Sequence, residues 1–326
     1  MLEPLNSERL AGFPSQAAVP YARLRSRAAC EDIPVTSLPS YHLDTLLYDS
    51  PITAVYRAQR ASDQQPVVLK VLRDTAPEHL AAFKREYDLL RTLNLPGVVR
   101  AYGLEHEADA WIMVLEDFGG ESLARLQLAG RVAVADFLHL ALAVTESLRQ
   151  VHQQHVMHKH VTPGNIVLNP ATGAVKLIDF GLASVLSRET IPFRNASVLE
   201  GTLAYLAPEQ TGRMHGTMDE RADFYALGVT FYELLTGHVP FTQADPLELV
   251  HAHLALTPTP PHAVNAAVPL ILSAIVLRLL AKNAADRYQS AYGLQGDLAA
   301  CWRQWQSSGR IAPFPDRKST RLNSSH

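Results

Sequence analysis

The stretch His158-Lys159-His160-Val161-Thr162-Pro163-Gly164-Asn165 is followed, fourteen residues after Asn165, by Asp179-Phe180-Gly181. Four histidines, His152, His155, His158 and His160, crowd its approach. Histidine is a common zinc ligand, so the crowd invites a metal-site reading. No cysteine is nearby to complete such a site. Immediately upstream, Val134 to His152 carries a long apolar stripe at helical spacing. Downstream, Asp223 to Thr236, Pro246 to Leu256, Pro269 to Ala281 and Gln289 to Trp305 are predicted as further helices.

Further upstream the pattern changes. His42 to Tyr48, Ala54 to Ala58 and Pro66 to Leu72 are short and rich in Val, Leu and Tyr. Turn-forming residues at Asp49-Ser50-Pro51 and Ser62 to Pro66 separate these strands. Ala76 to Leu93 reads as a helix, with Leu80, Phe83, Tyr87, Leu90 and Leu93 spaced by three and four. Val98 to Leu104 and Ala110 to Glu116 read as two more strands. An antiparallel β-rich first third with one helix, then a larger helical part, predicts an α+β fold.

Composition narrows the class. Of 326 residues, 47% are apolar and 19% charged, as in a soluble globular protein. The formal net charge of −3 argues against a nucleic-acid binder. Cys30 and Cys301 give no disulfide framework, so a reducing, cytoplasmic setting is expected. The longest apolar run, Val268 to Ala281, contains Pro269 and Arg278 and is too short to span a bilayer. No secretory signal is evident at the N-terminus.

Several short motifs accompany the opening stretch. Lys70 closes the strand Val67-Val68-Leu69-Lys70, and Glu86 follows sixteen residues later on the predicted helix. Met113 to Gly120 reads Met-Val-Leu-Glu-Asp-Phe-Gly-Gly. Gly201 to Glu209 ends in Ala-Pro-Glu, Asp223 to Gly228 has the form D-x-x-x-x-G, and Arg287 lies in Lys282 to Tyr288. Taken singly, each has an ordinary reading: a solvated Lys and Glu, or a strand end running into a Gly-Gly turn. In this order and spacing they resemble a protein kinase domain of the serine/threonine type, over roughly residues 41 to 306. Tyr48 to Arg57, Pro208 to Met214 and Ala291 to Leu298 resemble more narrowly bacterial multidomain signalling proteins. In those, an N-terminal kinase domain precedes an ATPase module, a GAF domain and a histidine kinase.

The resemblance implies a bilobal fold, small antiparallel β lobe to about residue 117 and larger helical lobe after it, binding ATP and Mg²⁺ between the lobes. It implies that Lys70 holds the α- and β-phosphates and pairs with Glu86. Val55, Val68 and Val167 would line adenine, with Leu115 as gatekeeper and Glu116 and Phe118 presenting backbone groups. Asn165 and Asp179 would hold Mg²⁺, which prefers oxygen ligands. His158 would pack against Phe180, and Arg287 would pair with Glu209. Implied partners are ATP and a protein substrate, or downstream modules of the same longer chain, with no nucleic acid and no membrane span.

This sequence departs from the pattern where the chemistry sits. His160 stands where kinases place the catalytic aspartate, and Thr162 where serine/threonine kinases place a lysine. Tyr48, Ser50 and Thr53 occupy the three glycine positions of the loop that covers the phosphates, so the backbone approaches less freely. The Ser50 and Thr53 hydroxyls are expected to offset part of that loss. Imidazole is a base of pKa near 6.5, but it is larger than a carboxylate and places its acceptor elsewhere. Three outcomes fit: ATP binding with little transfer, a slow but real kinase, or a sequence error at His160. Lys159 replaces the arginine that usually meets an activating phosphate, so Ser184, Ser187, Thr190 and Ser197 read as ordinary loop residues.

The kinase-like domain is assigned to residues 36–310. Residues 1–35 read either as a disordered extension or as an upstream artefact of a misplaced start, with Val35 or Leu38 the first residue. Asp316 to His326 resembles, residue for residue, the translation of a sequencing-library adapter, so the natural chain is expected to continue past Phe314.

Overall fold

The computed structural model describes residues 38–107, 109–185, 203–212 and 218–312. Cys30, Ser187, Thr190, Ser197, Gly201, the extension 1–35 and the tail Asp316 to His326 lie outside them. The described residues form two compact units. One falls within Met1–Arg91, Arg100–Gly119 and Asn169–Gly173, the other within Thr92–Val99, Gly120–Leu168 and Ala174–His326.

The first unit is a five-stranded antiparallel sheet in the order β1-β2-β3-β5-β4. Its strands are β1 (Tyr41–Asp49), β2 (Thr53–Arg60), β3 (Pro66–Leu72), β4 (Ala101–Glu107) and β5 (Ala110–Glu116). Alternation along β3 decides its two faces. Val67, Leu69 and Val71 are fully buried and cluster with Ala58, Ile112, Val114, Tyr41 and Leu38. Burying each Val or Leu contributes roughly 1.5–3 kcal/mol. Val68 and Lys70 therefore lie on the opposite face. Register sets Lys70 opposite both Val55 and Met113, and Val68 opposite Leu115.

Helix α1 (Pro77–Leu93) begins with proline, where a missing N–H costs nothing. The Asp74 carboxylate accepts the Ala76 N–H just before it, at 2.9 Å. Phe83, Leu90 and Leu93 are buried, as the spacing predicted. The strand predicted at Val98 to Leu104 begins instead at Ala101. Val98 and Val99 join the second unit, where Val98 bridges Leu177 and the Val99 N–H donates to the Leu177 carbonyl at 3.0 Å. Both valines are buried, so their apolar run looked like a strand start.

The second unit is mainly helical: α2 (Val134–Gln153), α3 (Arg221–Thr236), α4 (Pro246–Ala255), α5 (Pro261–Val264), α6 (Leu270–Leu279) and α7 (Ala291–Ser308). Helix α3 is its centre, buried without interruption from Ala222 to Leu235. A helix apolar on all sides belongs inside a core. It stops at Gly237, whose φ of +92° is a left-handed conformation that suits glycine. A Cβ at Gly228 would come within 2.7 Å of Leu279 Cβ, so this glycine lets α3 and α6 approach closely. Asp245 caps α4 by accepting the Leu247 and Glu248 N–H groups. Two small sheets complete the unit: β6 (Glu121–Ser122), β8 (Ile166–Leu168) and β9 (Val175–Leu177), and β7 (Val156–Met157) with β10 (Ser184–Val185). The α+β class expected from the sequence is the class observed. No helix among the described residues is long and apolar enough to cross a membrane.

Candidate active site

The histidine-rich loop is held by its backbone. Asp223, at the start of α3, is fully buried. Its Oδ2 accepts the His158 N–H at 2.9 Å and faces His152 Nε2 at 2.9 Å, and its Oδ1 accepts the Lys159 N–H at 2.6 Å. Burial pushes this carboxyl up, but the hydrogen bond and charge of His152, with the bond from the His158 N–H, outweigh it and hold it below the usual carboxylate range. Lys159 has φ +63°, a strained conformation for a residue with a side chain. The turn aims its N–H at Asp223. Deeper in α3, the Thr230 hydroxyl donates to the Val161 carbonyl at 3.0 Å. Burial pushes the Lys159 ammonium and the His158 imidazole down. His158 then bonds as a neutral ring, Nε2–H to the Ile178 carbonyl at 3.0 Å and Nδ1 from the His160 N–H at 3.2 Å. Its ring meets Phe180 edge-on, with centroids 4.5 Å apart, as expected.

Strand pairing explains how Asn165 and Asp179 meet. Ile166 pairs with Leu177 across β8 and β9, and the Ile178 N–H donates to the Asn165 carbonyl at 3.0 Å. The residues just beyond the paired ends are therefore neighbours. Asn165 Nδ2 lies 3.0 Å from the His160 carbonyl and 2.9 Å from His160 Nδ1. His160 Nδ1 also lies 3.5 Å from Asp179 Oδ2. Asp179 itself has φ +62°, the second left-handed residue of the site. Thr162 is buried, and its carbonyl accepts the Asn165 N–H at 3.0 Å. The Asn165 amide oxygen and the Asp179 carboxylate are donor types that a hard divalent cation takes, so this pair fits Mg²⁺. Among the described residues no group of three or more His, Cys, Asp or Glu is arranged to hold a metal. The four histidines are thus not a cluster: His152 faces Asp223, His155 sits in a turn with φ +55°, and His158 faces Ile178.

In the sheet unit, Lys70 Nζ lies 2.8 Å from both carboxylate oxygens of Glu86. The side chains are 13% and 5% exposed, so this is a largely desolvated pair and not the solvated one that singly placed residues suggest. Val55, Val68 and Leu115 share its face through the register described above; Val167 lies on β8 of the other unit. The turn between β1 and β2 departs from expectation. Ser50 Oγ donates to the Thr53 carbonyl at 2.9 Å and accepts the Thr53 N–H at 3.0 Å. Arg73 pairs with Asp49 at 2.5 Å. The Ser50 hydroxyl is engaged in closing its own turn, while Tyr48 stays exposed. Around Glu116 to Phe118, Arg57 Nε meets Asp117 at 2.8 Å, the Glu116 N–H donates to the Arg100 carbonyl at 2.9 Å, and Asn169 Nδ2 donates to the Phe118 carbonyl. Arg57 and Asn169 carried no sequence signal as braces of this segment, because they act across 60 and 51 residues of chain.

Arg287 forms a forked pair with Glu209 at 2.6 and 2.9 Å, as the motif implied. Its remaining N–H groups reach the carbonyls of Ala281, Arg221 and Lys282 at 2.8, 2.9 and 3.0 Å. A guanidinium has five such donors, and all five are satisfied.

The Lys–Glu pair on the sheet, the Asn/Asp pair beside the braced loop and the forked Arg–Glu lock are side-chain pairings that the kinase resemblance implied. The chain belongs to the protein kinase domain family, whose model matches residues 51–295. It is similar to the serine/threonine-protein kinase PknB of Mycobacterium leprae, 33% identical over 79% of this chain and 42% of that protein. It is also similar to the DNA damage-responsive serine/threonine-protein kinase RqkA of Deinococcus radiodurans, 35% identical over 78% and 38%. The serine/threonine-protein kinase PrkC of Bacillus subtilis is 32% identical over 75% and 38%. The chain spans about two fifths of the length of these relatives.

Proposed function

We propose that this chain is an ATP- and Mg²⁺-binding serine/threonine protein kinase domain in which His160 curtails phosphoryl transfer. In the reaction, a substrate hydroxyl oxygen forms a bond to the γ-phosphorus while the bond to the bridging β–γ oxygen breaks. ADP leaves, and the hydroxyl proton passes to a base on the loop. Mg²⁺, when held by Asn165 and Asp179, would neutralise phosphate charge. Lys70, oriented by Glu86, would bind the α- and β-phosphates, and Val55, Val68, Leu115, Val167 and the Glu116 to Phe118 backbone would take adenine.

The observation that carries the reading is the contact between Asn165 and His160. The amide has its Nδ2 toward the His160 carbonyl, so the same NH₂ group also donates to Nδ1. An imidazole that accepts at Nδ1 keeps its proton on Nε2. His160 then presents a donor outward and not a base. A general base contributes about 10²–10⁴-fold to rate. Thr162 adds no cation for the transferred phosphate, and the self-closed Ser50 turn offers it less than a glycine loop.

A second reading, an active kinase that uses His160 as base, draws on the 3.5 Å approach of Nδ1 to Asp179. A proton shared there would free Nε2 to accept. At 2.9 Å the Asn165 contact is shorter, and it favours the first reading. Substrate hydroxyls on proteins, and regulation by further modules of a longer chain, belong to the same proposal.

The test pairs ATP–Mg²⁺ thermal shift with transfer of labelled γ-phosphate to a generic protein acceptor, for the chain and for His160→Asp. Both proteins should be stabilised by nucleotide, and only His160→Asp should transfer, by at least 10²-fold over the parent. Equal transfer by both would overturn the impairment; no stabilisation of either would overturn nucleotide binding.

A further inference from the structure

Arg57 stands on the face of the sheet that carries Lys70. Along β2 it follows Val55 by two residues, and the register sets it opposite Val68, which in turn lies opposite Leu115. Its Nε donates to Asp117 Oδ2 at 2.8 Å, although β3 runs between β2 and the chain leaving β5. The ion pair therefore crosses β3 and closes one end of the apolar strip formed by Val55, Val68 and Leu115. Its side chains are 27% and 7% exposed, so it is not a solvated surface pair. Asp117 also shapes the chain that follows. Its Oδ1 accepts the Gly119 N–H at 2.8 Å, where Gly119 takes a φ of +72°. A second tie comes from the buried Asn169. Its Oδ1 accepts the Ala171 and Thr172 N–H groups at 2.8 and 3.1 Å, which turns Nδ2 to the Phe118 carbonyl. A third holds Glu116, whose N–H donates to the Arg100 carbonyl at 2.9 Å and whose Oε2 accepts the Arg100 N–H at 3.2 Å. All of these residues belong to the first unit.

We infer that Arg57 is a positioning residue for nucleobase selection: by holding Asp117 it fixes the register of the Glu116 to Phe118 backbone, and so sets the preference for adenine over guanine. The inference rests on the nucleotide reading above and deepens it. In that reading the Glu116 carbonyl is an acceptor and the Phe118 N–H a donor. Adenine offers the complement, a 6-amino donor beside a ring-nitrogen acceptor. Guanine offers the reverse, a 6-oxo acceptor beside a ring N–H. A backbone free to slide by one peptide group could present guanine with a matching pair. A backbone tied at residues 116, 117, 118 and 119 cannot, and the mismatch leaves desolvated polar groups unpaired. Preorganisation of this kind converts a hydrogen-bond pattern into selectivity, because the wrong base must also break the ties.

The experiment measures Kd for Mg²⁺–ATP and Mg²⁺–GTP by calorimetry on the whole chain, on Arg57→Met and on Arg57→Met/Asp117→Asn. The double variant removes the ion pair without leaving a lone buried carboxylate, and the asparagine oxygen can still accept the Gly119 N–H. The parent should favour ATP. In both variants the ATP-over-GTP preference should fall about tenfold, the equivalent of one hydrogen bond to the base, with the circular dichroism spectrum unchanged. Loss of affinity for both nucleotides with their ratio unchanged overturns the inference, since Arg57 then supports only the fold. Equal affinity of the parent for the two nucleotides overturns it as well and leaves the nucleotide reading standing. Binding of neither overturns both. The parent's own preference is read whether or not a variant folds.

Discussion

At the scale of single residues, Asp223 does more than any other described side chain to shape the site. It accepts two successive backbone N–H groups and faces a histidine, all in full burial. Removing one partner from such a buried ionic cluster costs about 3–5 kcal/mol. Asp223→Ala should lose stability of that order in urea unfolding, with ATP binding lost as the loop relaxes; an unfolding midpoint within error of the parent would refute the assignment. The sign of its acid response follows from its depressed pKa. The contribution is complete above the unfolded carboxylate range and is lost as pH falls through the lower folded value. The sequence showed Asp223 as the first letter of a helix motif, and it showed Lys70, Glu86, Asn165 and Asp179 by type and spacing. It did not show that Ser50 closes its own turn, or that Asn165 donates to His160. Both depend on side-chain torsions and on which of several nearby acceptors lies at hydrogen-bond distance, and no periodicity encodes those.

At the scale of elements, the contact of α3 with α6 is controlled by the absence of a side chain. A methyl group at residue 228 would sit 2.7 Å from Leu279 Cβ and 3.2 Å from Leu280 Cδ2. Overpacking of this kind costs about 1–3 kcal/mol. Gly228→Ala should lower stability by that amount, although alanine is the better helix former by about 1 kcal/mol. A more stable variant would show that the helices can separate freely. Arg287 ties the Glu209 segment to the two carbonyls that follow α6 and to that of Arg221 at the start of α3, and Arg287→Ala should cost about 3–5 kcal/mol in the same assay by leaving Glu209 unpaired. Long helices were legible, because their apolar stripes repeat every three or four residues. Their ends moved by one to three residues where caps decide: Ser290 starts α7 and Gly309 ends it. The two- and three-residue strands β6 to β10 were not legible. They are too short for alternation to show, and they form only through pairing: β8 with β6 and β9 in one small sheet, β7 with β10 in the other.

At the scale of the whole molecule, acid sensitivity has a second origin in the packing of α3, α4 and the segment after α6. His253 is buried beside Tyr225, whose hydroxyl is 2.9 Å from Nδ1; Lys282 Nζ donates to the His253 and Ala252 carbonyls and lies over the Phe241 ring, and Arg287 lies over the Tyr225 ring. Burial first, and then the Lys282 charge, push the His253 imidazole down to about 4. The unfolded chain takes up this proton before the folded one does. Stability is therefore full above about pH 6.5 and falls by up to about 3 kcal/mol as pH drops toward 4. Urea titrations between pH 7.5 and 4.5 should show that slope, and His253→Gln should flatten it; an unchanged slope would assign the sensitivity elsewhere. The fold class was legible at this scale because strand and helix patterns occupy separate parts of the chain. The Asp223 clamp grips the main-chain N–H groups of residues 158 and 159, which every residue but proline possesses, so these two contacts make no demand on the side chain at position 160. Aspartate and histidine codons differ by a single base. Exchange between the two at position 160 therefore leaves both Asp223 contacts in place.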